Sequence, residues 1–124
     1  MPREFQRSTR VAEQLQRELA GLVGRALQDP RAGLVTVTAV EVSKDLAYAK
    51  VFVSAIGGSL SHQELISALQ HAAGFLRHEV GHAMRLRIIP ELRFHYDETQ
   101  ERAARLEDLI ARANAPSKDG KGGT

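Results

Sequence analysis

Cysteine and tryptophan are absent from the chain, and aromatic residues make up only 5% of it. Without thiols there is neither a disulfide framework nor a thiolate metal site, which excludes the small stapled secreted folds and the cysteine-ligated zinc modules. No apolar run approaches the roughly 18 residues that a membrane helix needs, and the polar stretch Met1–Arg10 lacks the apolar centre of a secretory signal. A cytoplasmic protein with no membrane partner is expected. An excess of one charge is also missing: the formal net charge is +2, so electrostatics alone does not announce a nucleic acid. The kind of cation says more. Of 17 basic residues, 13 are arginine, whose planar fork pairs with phosphate in bidentate fashion and stacks on bases, as lysine cannot. Solvated helix faces would give the same count, so the positions of the arginines decide.

With 124 residues the chain supports one core and not two. Val11, Leu15, Leu19, Leu22, Val23, Ala26 and Leu27 recur at helical spacing, which predicts a first helix over Ser8–Gln28 with Ser8 or Thr9 as its cap. Asp29-Pro30-Arg31-Ala32-Gly33 ends it, because proline cannot continue the ladder and glycine permits a turn. Leu34–Val42 is rich in β-branched residues, and Ala47–Ala55 alternates with Ala49, Val51 and Val53 on one side, so a hairpin is expected about Ser43–Leu46. Gly57-Gly58 breaks the second strand.

Ser61 with Glu64 forms a capping-box pattern, and helical spacing follows through Leu65, Leu69, Ala72, Ala73, Leu76, Val80 and Met84. Gly74 interrupts it, which predicts two short helices joined at a kink; a bulky β-branched residue in place of Gly74 is expected to disturb Phe75 and Leu76. Leu92, Phe94 and Tyr96 alternate in a third strand, Glu91–Tyr96, and Asp97 or Thr99 caps a last helix with Ala103, Leu106 and Ile110. Residues 1–114 should form a single domain, and 115–124, with no apolar anchor beyond Pro116, a disordered tail. The class is α+β, in the order α-β-β-α-α-β plus a C-terminal helix, with a three-stranded sheet covered by helices on one face. That order matches the type II KH RNA-binding fold, a step made by analogy.

The sharpest local motif is His78-Glu79-Val80-Gly81-His82, the H-E-x-x-H pattern of zinc metalloproteases. Winding it as a helix sets both histidines opposite Leu76, Val80 and Ala83, hence outward, where a catalytic zinc helix must line a cleft. Gly81 loosens the helix, and Arg85 and Ile88 stand where the longer metzincin signature has Gly and His. Glu98 or Glu101 remains as a third ligand for a zinc metallohydrolase, the first alternative; a KH-like module that binds only protein partners is the second. The expectation is no enzyme, no metal and no cofactor. A KH domain grips RNA with a G-x-x-G loop between two helices. Here the only literal match, Gly21-Leu22-Val23-Gly24, falls inside the first helix, and the helix junction carries Ala72-Ala73-Gly74, which can bend a helix but cannot wrap nucleotides. Any RNA contact must lie elsewhere. Arg3, Arg7 and Arg10 recur at spacings of four and three, and Arg77, Arg85 and Arg87 flank the helix after the junction; these six are the candidate RNA contacts.

Taken in order, Arg10-Val11, Asp29-Pro30-Arg31, Val35-Thr36-Val37-Thr38, Val42-Ser43-Lys44-Asp45-Leu46, Ala49-Lys50-Val51-Phe52-Val53-Ser54, Gly74-Phe75-Leu76-Arg77 and Leu86-Arg87 leading to Pro90-Glu91-Leu92-Arg93-Phe94 resemble the ribosome-binding factor A family of bacterial small-subunit assembly factors. The resemblance runs from about Arg7 to Ile110. It implies a type II KH-like fold with an Ala-x-Gly kink, here Ala72-Ala73-Gly74, in place of the G-x-x-G loop. It further implies binding to free 30S subunits and 16S rRNA, a role in processing the 16S rRNA 5′ end, release aided by an assembly GTPase, and a monomer. His78 and His82 lie outside the family pattern, whereas Glu79 and Gly81 sit within it.

Overall fold

A computed structural model describes residues 3–114, with side chains from Gln6 onward; the expected tail, 115–124, lies outside the described residues. The elements are α1 (Arg3–Ala26), a 3-10 turn (Pro30–Ala32), β1 (Leu34–Val42), β2 (Tyr48–Ile56), α2 (His62–His71), α3 (Ala73–Met84), β3 (Glu91–Tyr96) and α4 (Thr99–Asn114). The α+β order is as expected. The sheet runs β1-β2-β3, with β1 antiparallel to β2 and β3 parallel to β2. The parallel pair is made possible by the helical crossover through α2 and α3.

One face of the sheet carries the core. Ala49, Val51 and Val53 of β2 are fully buried, and Leu92 and Phe94 of β3 nearly so, beneath Val11, Leu15, Leu19 and Val23 of α1, Leu65 and Leu69 of α2, and Leu76, Val80 and Met84 of α3. The intervals of four along α1 and of two along β2 are the two periods that place side chains on a single face. Each fully buried leucine of this set contributes on the order of 2 kcal/mol.

Two departures from the expectation have local causes, and a third feature lies beyond what it covered. First, α1 begins at Arg3, so Ser8 is not a cap but an interior residue only 6% exposed; the preceding residues have ordinary helix propensity and nothing stops the helix at Ser8. Second, the turn between α2 and α3 is made by Ala72 (φ −86°, ψ −1°), while Gly74 sits inside α3 without a positive φ and with nothing within 4 Å of where its Cβ would stand. Phe75 is 47% exposed, so the reason for expecting Gly74 to guard its packing falls away. Third, α4 buries no residue: Leu106, Leu109 and Ile110 are at least half exposed.

The first turn of α4 is nonetheless tied down. Asp97 accepts from the Thr99 N–H at 2.9 Å, so it is Asp97 that caps the helix, and it also accepts from the Thr38 hydroxyl at 2.6 Å, where β1 has a bulge between Val37 and Ala39. These bonds, the Thr38 hydroxyl first, hold the Asp97 carboxyl below its ordinary pKa. His62 stacks on the Tyr96 ring at 3.5 Å and lies 3.3 Å from Glu101, to which the Tyr96 hydroxyl donates.

Candidate nucleic-acid interface

Arg7 and Arg10 are exposed on α1, and Arg85 and Arg87 are exposed at and just beyond the end of α3. None of the four forms an ion pair among the described residues, and two of the acids nearest to them in sequence are engaged elsewhere: Glu79 with Arg25 at 3.4 Å and Glu91 with Arg93 at 2.9 Å. Arg85 closes α3 in the left-handed conformation (φ 53°), its N–H on the Gly81 carbonyl, a conformation that costs about 1 kcal/mol for a residue with a Cβ. It turns the chain out of the helix and the Arg85 side chain towards solvent. The Arg3 side chain lies outside the described residues.

Arg77 is a different case. Its guanidinium donates to the carbonyls of Pro90 at 3.1 Å and Ile89 at 2.7 Å, so it anchors the entry to β3 from α3 and is not a free phosphate ligand. Gln70 does the same one helix earlier, donating to the Leu92 carbonyl at 3.2 Å and accepting from the Phe94 N–H at 2.7 Å. Gln70 thereby pairs part of the outer edge of β3, which has no further strand beside it, and Arg77 pairs the backbone leading into it.

Both arginine groups belong to chain segments that meet the sheet at its turn end. Ser8, Thr9 and Ala12 of α1 line a hollow with Val40–Lys44, at the end of β1 that leads into the β1–β2 turn. The chain leaving Arg85 and Arg87 enters β3 at Glu91, whose N–H bonds to the Ala47 carbonyl in that same turn. Arg7 and Arg10 therefore lie near the turn end of the sheet with the exposed Lys44, and Arg85 and Arg87 precede the strand that starts there. Sequence reasoning missed Arg17, also exposed and unpaired among the described residues; its spacing of seven from Arg10 continues the same side of α1 and was there to be read.

The junction residues Ala72 and Ala73 are half-buried and Gly74 is exposed, so this turn presents backbone but no loop to enclose a nucleotide. The histidines of the H-E-x-x-H motif face outward as expected, their rings 4.7 Å apart. Among the described residues no three His, Cys, Asp or Glu side chains are placed to hold a metal, and Glu79, the would-be base, points to Arg25. Asp29-Pro30-Arg31 is architectural. Asp29 caps the 3-10 turn and receives the Arg31 guanidinium, which holds its carboxyl below the usual pKa, while the Arg31 carbonyl accepts from Ser59 and Leu60. No helix among the described residues is long and apolar enough to cross a membrane.

Comparison with known proteins gives the family and the fold. The family model described as ribosome-binding factor A matches residues 7–110. Ribosome-binding factor A of Thioalkalivibrio sulfidiphilus is 52% identical over 118 residues, covering 95% of this chain and 92% of that protein, and that of Nitrosomonas europaea is 50% identical over 113 residues, covering 91% and 97%. Among solved structures, the crystal structure of ribosome-binding factor A from Thermus thermophilus aligns with a TM-score of 0.63 at 34% identity, covering 72% of this chain and 94% of that one. A Thermus thermophilus homology model fitted into a cryo-EM map of a 30S complex aligns at 0.62, again at 34% identity, covering 70% and 91%.

Proposed function

Because the chain belongs to the ribosome-binding factor A family, whose members are non-enzymatic assembly factors, we propose that it binds free 30S subunits through 16S rRNA. On this reading it assists their late maturation in the cytoplasm, including processing of the 16S rRNA 5′ end. The observation that carries the reading is the set of exposed arginines, Arg7, Arg10, Arg85 and Arg87, left without ion pairs among the described residues. Phosphate contacts of that kind fix orientation on the RNA without reading sequence. Support also comes from the Thermus relative, fitted into a map of its 30S complex.

The domain, residues 1–114, is read as KH-like of type II. The α2–α3 turn at Ala72-Ala73-Gly74 stands where a KH domain has its G-x-x-G loop, so RNA is held by the flanking arginines and not by that turn. The protein acts as a monomer, and its release is aided by a small-subunit assembly GTPase. Arg77 takes part only by placing β3.

Sedimentation with purified subunits tests the reading: the protein should travel with 30S and not with 50S subunits. Affinity should fall steeply with salt, and the salt slope should shrink by about two for the Arg7→Ala with Arg10→Ala pair and for the Arg85→Ala with Arg87→Ala pair. The control pair Arg105→Ala with Arg112→Ala, on α4, should leave it unchanged. If the control weakens binding as much as the test pairs, the surface is wrong; if the protein ignores 30S subunits, the function is wrong.

A further inference from the structure

The helices cover one face of the sheet, and the other carries an ordered set of side chains. Down the central strand β2 stand Tyr48, Lys50 and Phe52, on the side opposite buried Ala49, Val51 and Val53. The registers extend these into rows across the sheet: Tyr48 beside Glu91, then Glu41, Lys50 and Arg93, then Ala39, Phe52 and His95. The Arg93 guanidinium lies 4.2 Å from the centre of the Tyr48 ring and is held there by Glu91 at 2.9 Å. The Phe52 and His95 rings are 5.5 Å apart and inclined by 32°. Two of the chain's six phenylalanine and tyrosine residues thus sit on the solvent side of the sheet, in a protein with few aromatic residues to spare.

Side chains two residues apart on a strand are about 7 Å apart, so Tyr48 and Phe52 stand about 13 Å apart with the Lys50–Arg93 row midway. A protein partner with an apolar face would have to bury Glu41, Lys50, Arg93 and Glu91 together, and desolvating four charged side chains costs more than contacts with two rings return. An unpaired nucleic-acid strand alternates flat apolar bases with anionic phosphates and meets the rows in kind. Resting on the reading that the protein binds rRNA, we propose that the open sheet face is a stacking platform for a short unpaired stretch of RNA. One base lies against the Tyr48–Arg93 pair and a second against Phe52 and His95, with the intervening phosphate over Lys50. Glu41 and Glu91 nearly balance the cations of the middle row. This face therefore adds stacking with little release of counterions, unlike the arginines of α1 and α3, and it discriminates against duplex RNA, whose bases are already stacked.

The test uses the full chain and a short unstructured oligoribonucleotide, with a duplex of equal length as the comparison. Since the chain has no tryptophan and only two tyrosines, Tyr48 and Tyr96, a base on Tyr48 should quench tyrosine emission, and the quench should vanish in Tyr48→Leu. Tyr48→Leu with Phe52→Leu should weaken binding to the unpaired strand roughly tenfold or more, with the salt slope unchanged. Tyr48→Phe with Phe52→Tyr, which keeps both rings, should bind like the parent. Photocrosslinking of the unaltered protein to a 4-thiouridine strand should place crosslinks on β2 and β3, independently of how the variants fold. The platform is overturned if the double leucine variant folds and binds as the parent does, or if crosslinks confine themselves to α1 and α3. Parent protein that crosslinks through β2 yet ignores 30S subunits would overturn the proposed function and leave the platform standing.

Discussion

At the joint between the 3-10 turn and the β2–α2 connection, a Cβ on Gly58 would stand 2.5 Å from the Arg31 carbonyl oxygen and 2.6 Å from the Ala32 carbonyl carbon. At the joint between α2 and α3, a Cβ on Gly74 would meet nothing within 4 Å. The first joint is a clasp of backbone on backbone. Gly33, at φ 72°, faces Gly58 across it, and the Arg31 carbonyl takes the N–H groups of both Ser59 and Leu60. The second joint is held from outside, by Gln70 and Arg77 reaching to β3 and by Leu69 and Leu76 in the core. A glycine at a bend is therefore not evidence that the bend needs it; what decides is whether another backbone occupies the place of the missing side chain.

The sharpest way to break this comparison is Gly58→Ala. The added methyl meets main chain on every near side, so relief requires moving the 3-10 turn off β2, and a loss of about 3 kcal/mol is expected. Denaturant unfolding of the variant beside the parent measures it. A shift no larger than that of a surface substitution would mean the clasp opens easily.

Much of this was legible. The spacing of Leu15, Leu19 and Val23 and the alternation of Ala49, Val51 and Val53 identify the buried faces that the structure contains, because burial and periodicity are the same fact seen twice. Gly33 and Gly57-Gly58 read correctly as punctuation. That Gly33 and Gly58 touch was not readable, since it depends on the register that sets Leu34 beside Ile56. Nor was the role of Gln70 or Arg77, whose bonds go to backbone 12 to 24 residues away. Arginine spacing marks a side of a helix but cannot tell a guanidinium free for phosphate from one already claimed by a carbonyl. The start of α1 was misread because Ser8 has the chemistry of a cap, and only tertiary contact shows it buried. The apolar period of α4 predicted a helix correctly and said nothing of whether the body would cover it.

An intermediate effect sharpens the account of the second joint. Gln70→Ala removes the acceptor of the Phe94 N–H and a donor to the Leu92 carbonyl on the outer edge of β3. Leaving that edge unsatisfied should cost about 1–2 kcal/mol. Amide exchange should show where it falls: protection at Phe94 drops while that of β1 stays. Equal loss of protection across the sheet would show that Gln70 stabilises something other than the edge.

The smallest effect is the most discriminating, because its sign differs between the two readings of Gly74. If Gly74 were a hinge with a backbone conformation closed to other residues, alanine there would destabilise the protein. In the structure Gly74 lies within α3, one residue past the first, with a helical neighbour on each side, no positive φ and open space where the methyl would go. Glycine in a helix loses more backbone freedom on folding than alanine, a difference of up to about 1 kcal/mol. Gly74→Ala should therefore raise the melting temperature slightly, while leaving the Ala72 turn and 30S binding as they are. Gly81, inside the same helix, supplies the internal contrast. A Cβ there would stand 3.3 Å from two atoms of the Ile89 side chain, so part of the same propensity gain is cancelled and Gly81→Ala should gain less. A Gly74→Ala protein less stable than the parent, and less stable than Gly81→Ala, would restore the hinge.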